Sequence, residues 1–178
     1  MLFNSPEFIF VFLPVALASF FVLGRFGGLR AALVWLVVLS MVFYAWWRPA
    51  DVPVLTVSVV VNFALGRLIE TTKDDRRAGM LMVAGVAANL AALVFYKYAN
   101  LLTHTASELL GLAWTVQNPV LPLGISFFTF LQIAYLVDVR RERRAEPDLV
   151  RYGLFVTFFP HLIAGPILHH KEMLPQFT

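Results

Sequence analysis

Long stretches without a charged side chain alternate with short charged stretches along this chain. A bilayer core of about 30 Å needs roughly 20 helical residues, with a lower limit near 17. Strands of a membrane barrel would alternate apolar and polar residues over about 10 positions, and these stretches do not. The pattern therefore predicts about six helical membrane segments, formed by the uncharged runs Phe8 to Gly24, Ala31 to Trp47, Val52 to Gly66, Ala78 to Tyr96, Leu109 to Val137 and Tyr152 to Leu168.

Two of these runs depart from the ideal length. The third has only 15 residues, but Asp51 and Arg67 at its ends can reach towards the headgroups. The fifth has 29 residues and contains Pro119 and Pro122. Its first third is therefore expected to form an interfacial loop or a short helix rather than part of a membrane segment.

The composition supports a membrane protein and excludes other classes. The chain has 178 residues, of which 60% are hydrophobic and only 14% charged, more apolar surface than a soluble domain of this size can bury. Aromatic residues make up 15%, which excludes intrinsic disorder, and the absence of cysteine excludes disulfides and thiolate catalysis. The predicted fold class is an all-α polytopic integral membrane protein, with residues 1–178 in a single transmembrane domain.

The basic residues predict the orientation in the membrane. Eleven of the 14 Lys and Arg residues lie in the loops after segments 1, 3 and 5. The positive-inside rule places these loops in the cytoplasm and the N-terminus outside, as in a multi-pass protein of a bacterial inner membrane. Residues 1–7 have no Lys or Arg, so a cleaved signal peptide is not expected. The basic run Arg140–Arg144 is interpreted as a topology determinant that contacts anionic lipid, and nucleic acid is not predicted as a partner.

The sixth segment is expected to be an interrupted helix. Pro160 and Pro166 cannot donate backbone hydrogen bonds, and Gly165 lies between them. A broken helix at membrane depth is tolerated only where protein or a water-filled cavity covers the exposed backbone, so this segment is expected to line a cavity or lie in the interior. Two roles remain open for His161 beside the break: participation in a substrate pathway, or a hydrogen bond from a buried imidazole to a freed carbonyl.

The other polar residues in the apolar segments indicate contacts between helices and not a metal or catalytic site. Asn62, Asn89 and Gln132 lie within apolar segments and are expected to hydrogen-bond between helices. His169 and Glu172 are spaced to share a metal ion, but two ligands are too few for a site, so no metal is predicted. No Ser-His-Asp set is distinguishable by spacing, and no bound cofactor is predicted.

Several short motifs occur in one order along the chain. They are Phe3–Ser5, Phe43–Trp47, Phe95–Asn100, Leu121–Phe128 and Phe159–Ile167, the last continuing to Pro175-Gln176-Phe177. Together they resemble the membrane-bound O-acyltransferase family, specifically its bacterial alginate O-acetylation branch. The resemblance runs the full length of the chain.

This resemblance implies an acyltransferase in which a funnel through the membrane contains an intramembrane histidine. The substrate donor would be acetyl-CoA or another acetyl carrier, and the acetyl group would reach hydroxyls of an exopolysaccharide such as alginate. Exported polysaccharide acetyltransferases would be partners. An alcohol is a poor nucleophile, so a nearby imidazole that takes its proton fits this chemistry.

The resemblance also implies that this chain is the N-terminal part of a longer fold. The family's catalytic histidine lies downstream of the Pro-Gln-Phe motif and is expected beyond Thr178, so no catalytic residue is assigned here. His161, Pro160, Gly165 and Pro166 are candidates for the funnel lining. The chain alone is expected to be inactive.

The sequence leaves two other functions open. A small transporter subunit would usually carry buried charge pairs or inverted repeats, which this sequence does not show. A non-catalytic membrane assembly subunit could dock exported transferases through Trp46, Trp47 and the loop near Trp114.

Overall fold

The computed structural model describes the backbone of residues 3–110 and 120–162, and the side chains of residues 3–98 and 120–161. All regular elements in these ranges are helical, which confirms the predicted all-α class. A π-helical turn (Phe8–Phe12) opens the chain and a 3₁₀ turn (Pro49–Asp51) precedes the third helix. The α-helices are α1 (Leu13–Phe26), α2 (Gly28–Trp47), α3 (Val52–Thr71), α4 (Asp75–Leu110), α5 (Ile125–Glu142), α6 (Leu149–Thr157) and α7 (Phe159–Leu162).

Four helical stretches are long and apolar enough to cross a membrane: Phe8–Phe26, Gly28–Trp47, Pro49–Thr71 and Asp75–Tyr98. The chain is therefore a multi-pass membrane protein. The third stretch has 23 residues and is longer than the uncharged run that predicted it, because the helix continues past Arg67, which pairs with Glu70 one turn later. The count of six segments and the outside N-terminus stay predictions.

Helix α5 lies at the centre of the described helices, in contact with α3, α4 and α6. Its inward face carries Phe128, Tyr135 and Leu136, all buried. Helices α1 and α2 form an antiparallel hairpin joined through Gly27, and α2 also packs against α6. Gly28 begins α2 with a φ of +79°, a conformation that favours glycine in so tight a turn.

Helices α3 and α5 approach each other closely at Gly66. A Cβ atom at this position would lie 2.6 Å from Cε1 of Tyr135, closer than carbon atoms pack. The Tyr135 ring is buried, and its hydroxyl accepts a hydrogen bond from the backbone N–H of Glu146 at 3.2 Å. Because Gly66 has no side chain, the Tyr135 ring fits between α3 and α5.

The end of α5 fixes the turn between α3 and α4. Arg143 has a φ of 54°, and its guanidinium donates to the carbonyl oxygens of Ile69 (3.3 Å) and Thr72 (2.8 Å) at the C-terminus of α3. Asp75, the first residue of α4, accepts hydrogen bonds from Arg143 at 2.9 Å and from Arg140 at 2.6 Å. The basic loops that follow the third and fifth predicted segments therefore meet on one side of the molecule.

Candidate functional site

The predicted interruption beside Pro160 is confirmed, with the helix broken at Phe158, whereas Pro166 lies outside the described residues. Helix α6 is N-capped by Asp148, whose carboxylate accepts a hydrogen bond from the Val150 N–H at 2.8 Å. The helix ends when Phe158 turns to a ψ of 112°. Pro160 has no N–H to donate and its ring would crowd the preceding turn, so it falls in the first turn of the next helix, α7, where proline is tolerated.

The break frees backbone groups that other residues then satisfy. The N–H of Phe159 would bond to the carbonyl of Phe155 in a continuous helix. It donates instead to the hydroxyl of Ser40 on α2, at 3.3 Å. Ser40 is fully buried and its own hydroxyl donates to the Leu36 carbonyl at 2.8 Å, so this serine adds a hydrogen bond to the packing of the broken helix against α2.

His161 hydrogen-bonds to the Phe155 carbonyl, which would accept from the Phe159 N–H in a continuous helix. Its Nε2 lies 3.0 Å from the carbonyl oxygen of Phe155, and the side chain is only 6% exposed. Because a carbonyl oxygen only accepts, this contact places a proton on Nε2, and in the neutral ring Nδ1 is then an acceptor. This contact corresponds to one of the two roles that the sequence left open, a hydrogen bond from a buried imidazole to a backbone carbonyl. A role of His161 in a substrate pathway stays a prediction.

The imidazole has aromatic surroundings and one open acceptor. Phe127 of α5 and Phe158 lie 5.6 Å and 5.7 Å from its ring centre. Its Nδ1 atom is buried and has no hydrogen-bond partner among the residues whose side chains are described. Pro160 beside it is exposed, whereas Gly165 and Pro166 lie outside the described residues. Only two of the four candidate funnel residues can therefore be placed, and they sit together at the break.

The prediction that the intramembrane amides join helices is confirmed. Asn62 of α3 and Asn89 of α4 exchange hydrogen bonds of 2.7 Å and 3.2 Å. Each amide nitrogen also donates one turn back along its own helix, to the carbonyls of Ser58 and Gly85. Both side chains are buried, and the pair ties α3 to α4.

Gln132 extends this contact to the centre of the fold. Its amide nitrogen donates to the Ser58 hydroxyl at 3.0 Å, which joins α5 to α3. The hydroxyl of Tyr152 on α6 lies 3.5 Å from the Gln132 carbonyl oxygen, at the outer limit of a hydrogen bond. Ser58, Tyr152 and Ser40 are not recognisable from the sequence, because small hydroxyls and tyrosines in apolar helices give no signal of their partners.

Removing one amide of the Asn62–Asn89 pair is expected to cost about 1 kcal/mol of stability, the upper part of the range for hydrogen bonds between membrane helices. We expect Asn62→Leu and Asn89→Leu each to be destabilised because each leaves the other amide short of a partner. The double variant should regain part of the loss, since no buried amide then lacks its bond. The coupling between the two residues is obtained from the free energies of unfolding of the single and double variants in mixed detergent micelles. If the two single losses simply add in the double variant, the two amides do not form a reciprocal pair.

One groove adjoins this network. A groove of about 400 Å³ lies between α3, α4 and α5, with Asn62, Asn89 and Thr129 among otherwise mainly apolar lining. Among the described residues, no group of three or more His, Asp or Glu side chains could hold a metal ion, and the pair His169 and Glu172 lies outside them. The groove therefore offers hydrogen-bonding groups within apolar walls, and the His161 imidazole is not among its lining residues.

Comparison with known proteins finds similarity along the entire chain. A peptidoglycan O-acetyltransferase of Helicobacter pylori is 37% identical across 99% of this chain, and the probable alginate O-acetylase AlgI of Pseudomonas aeruginosa is 36% identical across 100%. A teichoic acid D-alanyltransferase of Lacticaseibacillus rhamnosus is 25% identical across 98%.

The matches cover only part of each relative. The chain spans 38% of the Helicobacter protein, 35% of the Pseudomonas protein and 42% of the Lacticaseibacillus protein. No protein-family model matches the chain, and no solved structure is significantly similar to it.

Proposed function

We propose, since the chain belongs to the membrane-bound O-acyltransferase family, that it forms a membrane portion of an O-acetyltransferase acting on an exported polysaccharide. The observation that carries this proposal is the identity of 33–37% along the chain to relatives named for O-acetylation. The D-alanyltransferase is more distant, at 25%. Acetyl is therefore the proposed acyl group.

The proposed setting is the bacterial inner membrane. An acetyl donor, acetyl-CoA or another acetyl carrier, would deliver its acetyl group on one side, and hydroxyls of a polysaccharide such as alginate would receive it on the other. Exported polysaccharide acetyltransferases are the proposed protein partners. The four apolar helices support the membrane location, and the acetyltransferase relatives support the donor.

In this proposal the broken helix α6–α7 contributes to the wall of the acyl-transfer path. Acyl transfer to an alcohol needs a base that removes the hydroxyl proton as the oxygen attacks the acyl carbon. His161 is held by the Phe155 carbonyl and by its aromatic surroundings, so it is proposed to shape the wall and not to serve as that base. The base is proposed to lie in the part of the relatives that this chain does not match.

We expect the 178-residue chain alone to have no acetyltransferase activity. Joined to the part of a relative that it does not match, it is expected to form an active acetyltransferase. The test is a chimera in which this chain replaces the matched portion of the Pseudomonas aeruginosa protein, expressed in a strain that lacks its own copy. The measurement is the acetyl ester content of the secreted alginate. The chimera should restore acetyl esters, whereas this chain alone should not.

The control is the unmatched portion of the Pseudomonas protein expressed without this chain, which should also give no esters. Esters made by this chain alone would show that it contains the base. A chimera that reaches the membrane folded but yields no esters would overturn its proposed part in the acetyltransferase.

A further inference from the structure

A second groove, of about 810 Å³, runs between α4 and α5 and lies apart from the break at Phe158. Arg76, Arg140 and Arg141 line one end of it. The rest of its lining is apolar or small, with Met80, Val83, Ala84, Ala87 and Val137 among its residues. The groove thus combines a cationic end with a hydrocarbon-like wall.

The cationic end is held in position by the fold. Arg140 crosses α4 beside Gly79, where an added Cβ would lie 3.8 Å from its Nε. One terminal nitrogen of Arg140 donates to the Asp75 carboxylate and to the Asp75 carbonyl. Its Nε is buried and has no hydrogen-bond partner among the described residues. Arg76 and Arg141 are exposed on either side.

The neighbouring carboxylates are already engaged. Asp75 binds Arg140 and Arg143, and Asp74 pairs with Arg77 at 3.3 Å. Asp138 and Glu142 on α5 also have interactions of their own. A group that enters between Arg76 and Arg141 therefore meets donors and positive charge, which favours an anion with several acceptor oxygens.

The apolar wall covers about two thirds of the depth of one leaflet of a bilayer. From Met80 to Ala87 the helix rises about 10 Å, at about 1.5 Å per residue, and half of a hydrocarbon core of about 30 Å is about 15 Å. Arginines at the membrane surface and an apolar wall directed into the core are the pattern that binds an acidic lipid between membrane helices.

We propose that this groove binds an anionic phospholipid, with the headgroup phosphate on Arg76, Arg140 and Arg141 and an acyl chain along Met80 to Ala87. A water-soluble phosphate compound would occupy the arginines but leave the apolar wall without a partner. The proposal depends on the chemistry of α4 and α5 and is independent of acetyl transfer.

The test uses the whole chain in neutral detergent, titrated with phosphatidylglycerol or phosphatidylcholine, with bound lipid counted by native mass spectrometry. Phosphatidylglycerol is expected to bind more tightly. Arg76→Gln and Arg141→Gln should each weaken its binding about fivefold, as expected for one basic residue near an anionic headgroup. Arg77→Gln is the matched control, because Arg77 follows Arg76 in the same helical turn without lining the groove, and its affinity should be unchanged.

A second pair of measurements tests the acyl chain. Ala84→Trp fills the apolar wall and should reduce phosphatidylglycerol binding while the circular dichroism spectrum stays that of the parent. Glycerophosphoglycerol, which has the headgroup without the chains, should compete poorly. Equal affinity for the two lipids, or no loss in Arg76→Gln and Arg141→Gln, would refute the site. Competition by glycerophosphoglycerol as strong as by the lipid would assign the arginines to a soluble phosphate instead.

Discussion

Gly66→Ala is expected to lower the free energy of unfolding by about 2–3 kcal/mol, because overpacking a tight core contact strains side chains and backbone. The new methyl group would lie 2.6 Å from Cε1 and 2.7 Å from the hydroxyl oxygen of Tyr135. The ring has little room to retreat, since it packs on Tyr152 with 4.6 Å between ring centres and its hydroxyl is hydrogen-bonded to Glu146. The substitution should therefore separate α3 from α5.

Unfolding in mixed detergent micelles, followed by circular dichroism, measures this loss. Gly24→Ala is the matched control: it lies within α1, and its added Cβ would meet the Cβ of Ala32 at an ordinary 3.8 Å. The control should be neutral or gain up to about 1 kcal/mol from the better helix propensity of alanine. If Gly66→Ala and Gly24→Ala unfold alike, the α3–α5 contact is looser than its geometry indicates.

The sequence predicted the four long apolar helices because the length of an uncharged run is a direct consequence of bilayer thickness. It underestimated α3, since Arg67 and Glu70 neutralise each other on one face and the helix continues to Thr71. It also predicted the interruption near Pro160, because a proline lacks the donor that a continuous helix requires. These are local effects, and local sequence is sufficient to reveal them.

The contacts that build the site are not local. Ser40 and Phe159 are 119 residues apart, and Asn62 and Asn89 are 27 apart. In a membrane helix nearly every face is apolar, so hydrophobic periodicity does not show which side meets protein and which meets lipid. The sequence could therefore identify Asn62, Asn89 and Gln132 as interhelical, whereas their partners appear only once the helices are packed.

His161→Leu is expected to destabilise the fold by about 2–3 kcal/mol. Leucine fills a similar volume but donates no hydrogen bond, so the carbonyl of Phe155 would lose the partner it has at 3.0 Å. Loss of a hydrogen bond to a buried carbonyl costs about 1–3 kcal/mol. His161→Gln keeps an amide donor on a side chain of similar reach and should recover most of the loss, as measured by the same unfolding experiment.

The glutamine variant also separates the two roles considered for His161. In the chimera with the Pseudomonas aeruginosa protein, His161→Gln is expected to leave alginate acetylation near the parent level, because an amide can hold the broken helix as the imidazole does. A glutamine side chain cannot take up a proton at neutral pH, so general-base participation would appear as a loss of about 100-fold or more in rate per folded protein. Such a loss, with stability intact, would place His161 in the acyl-transfer chemistry. Retained activity would fix it as the residue that positions the α6–α7 break.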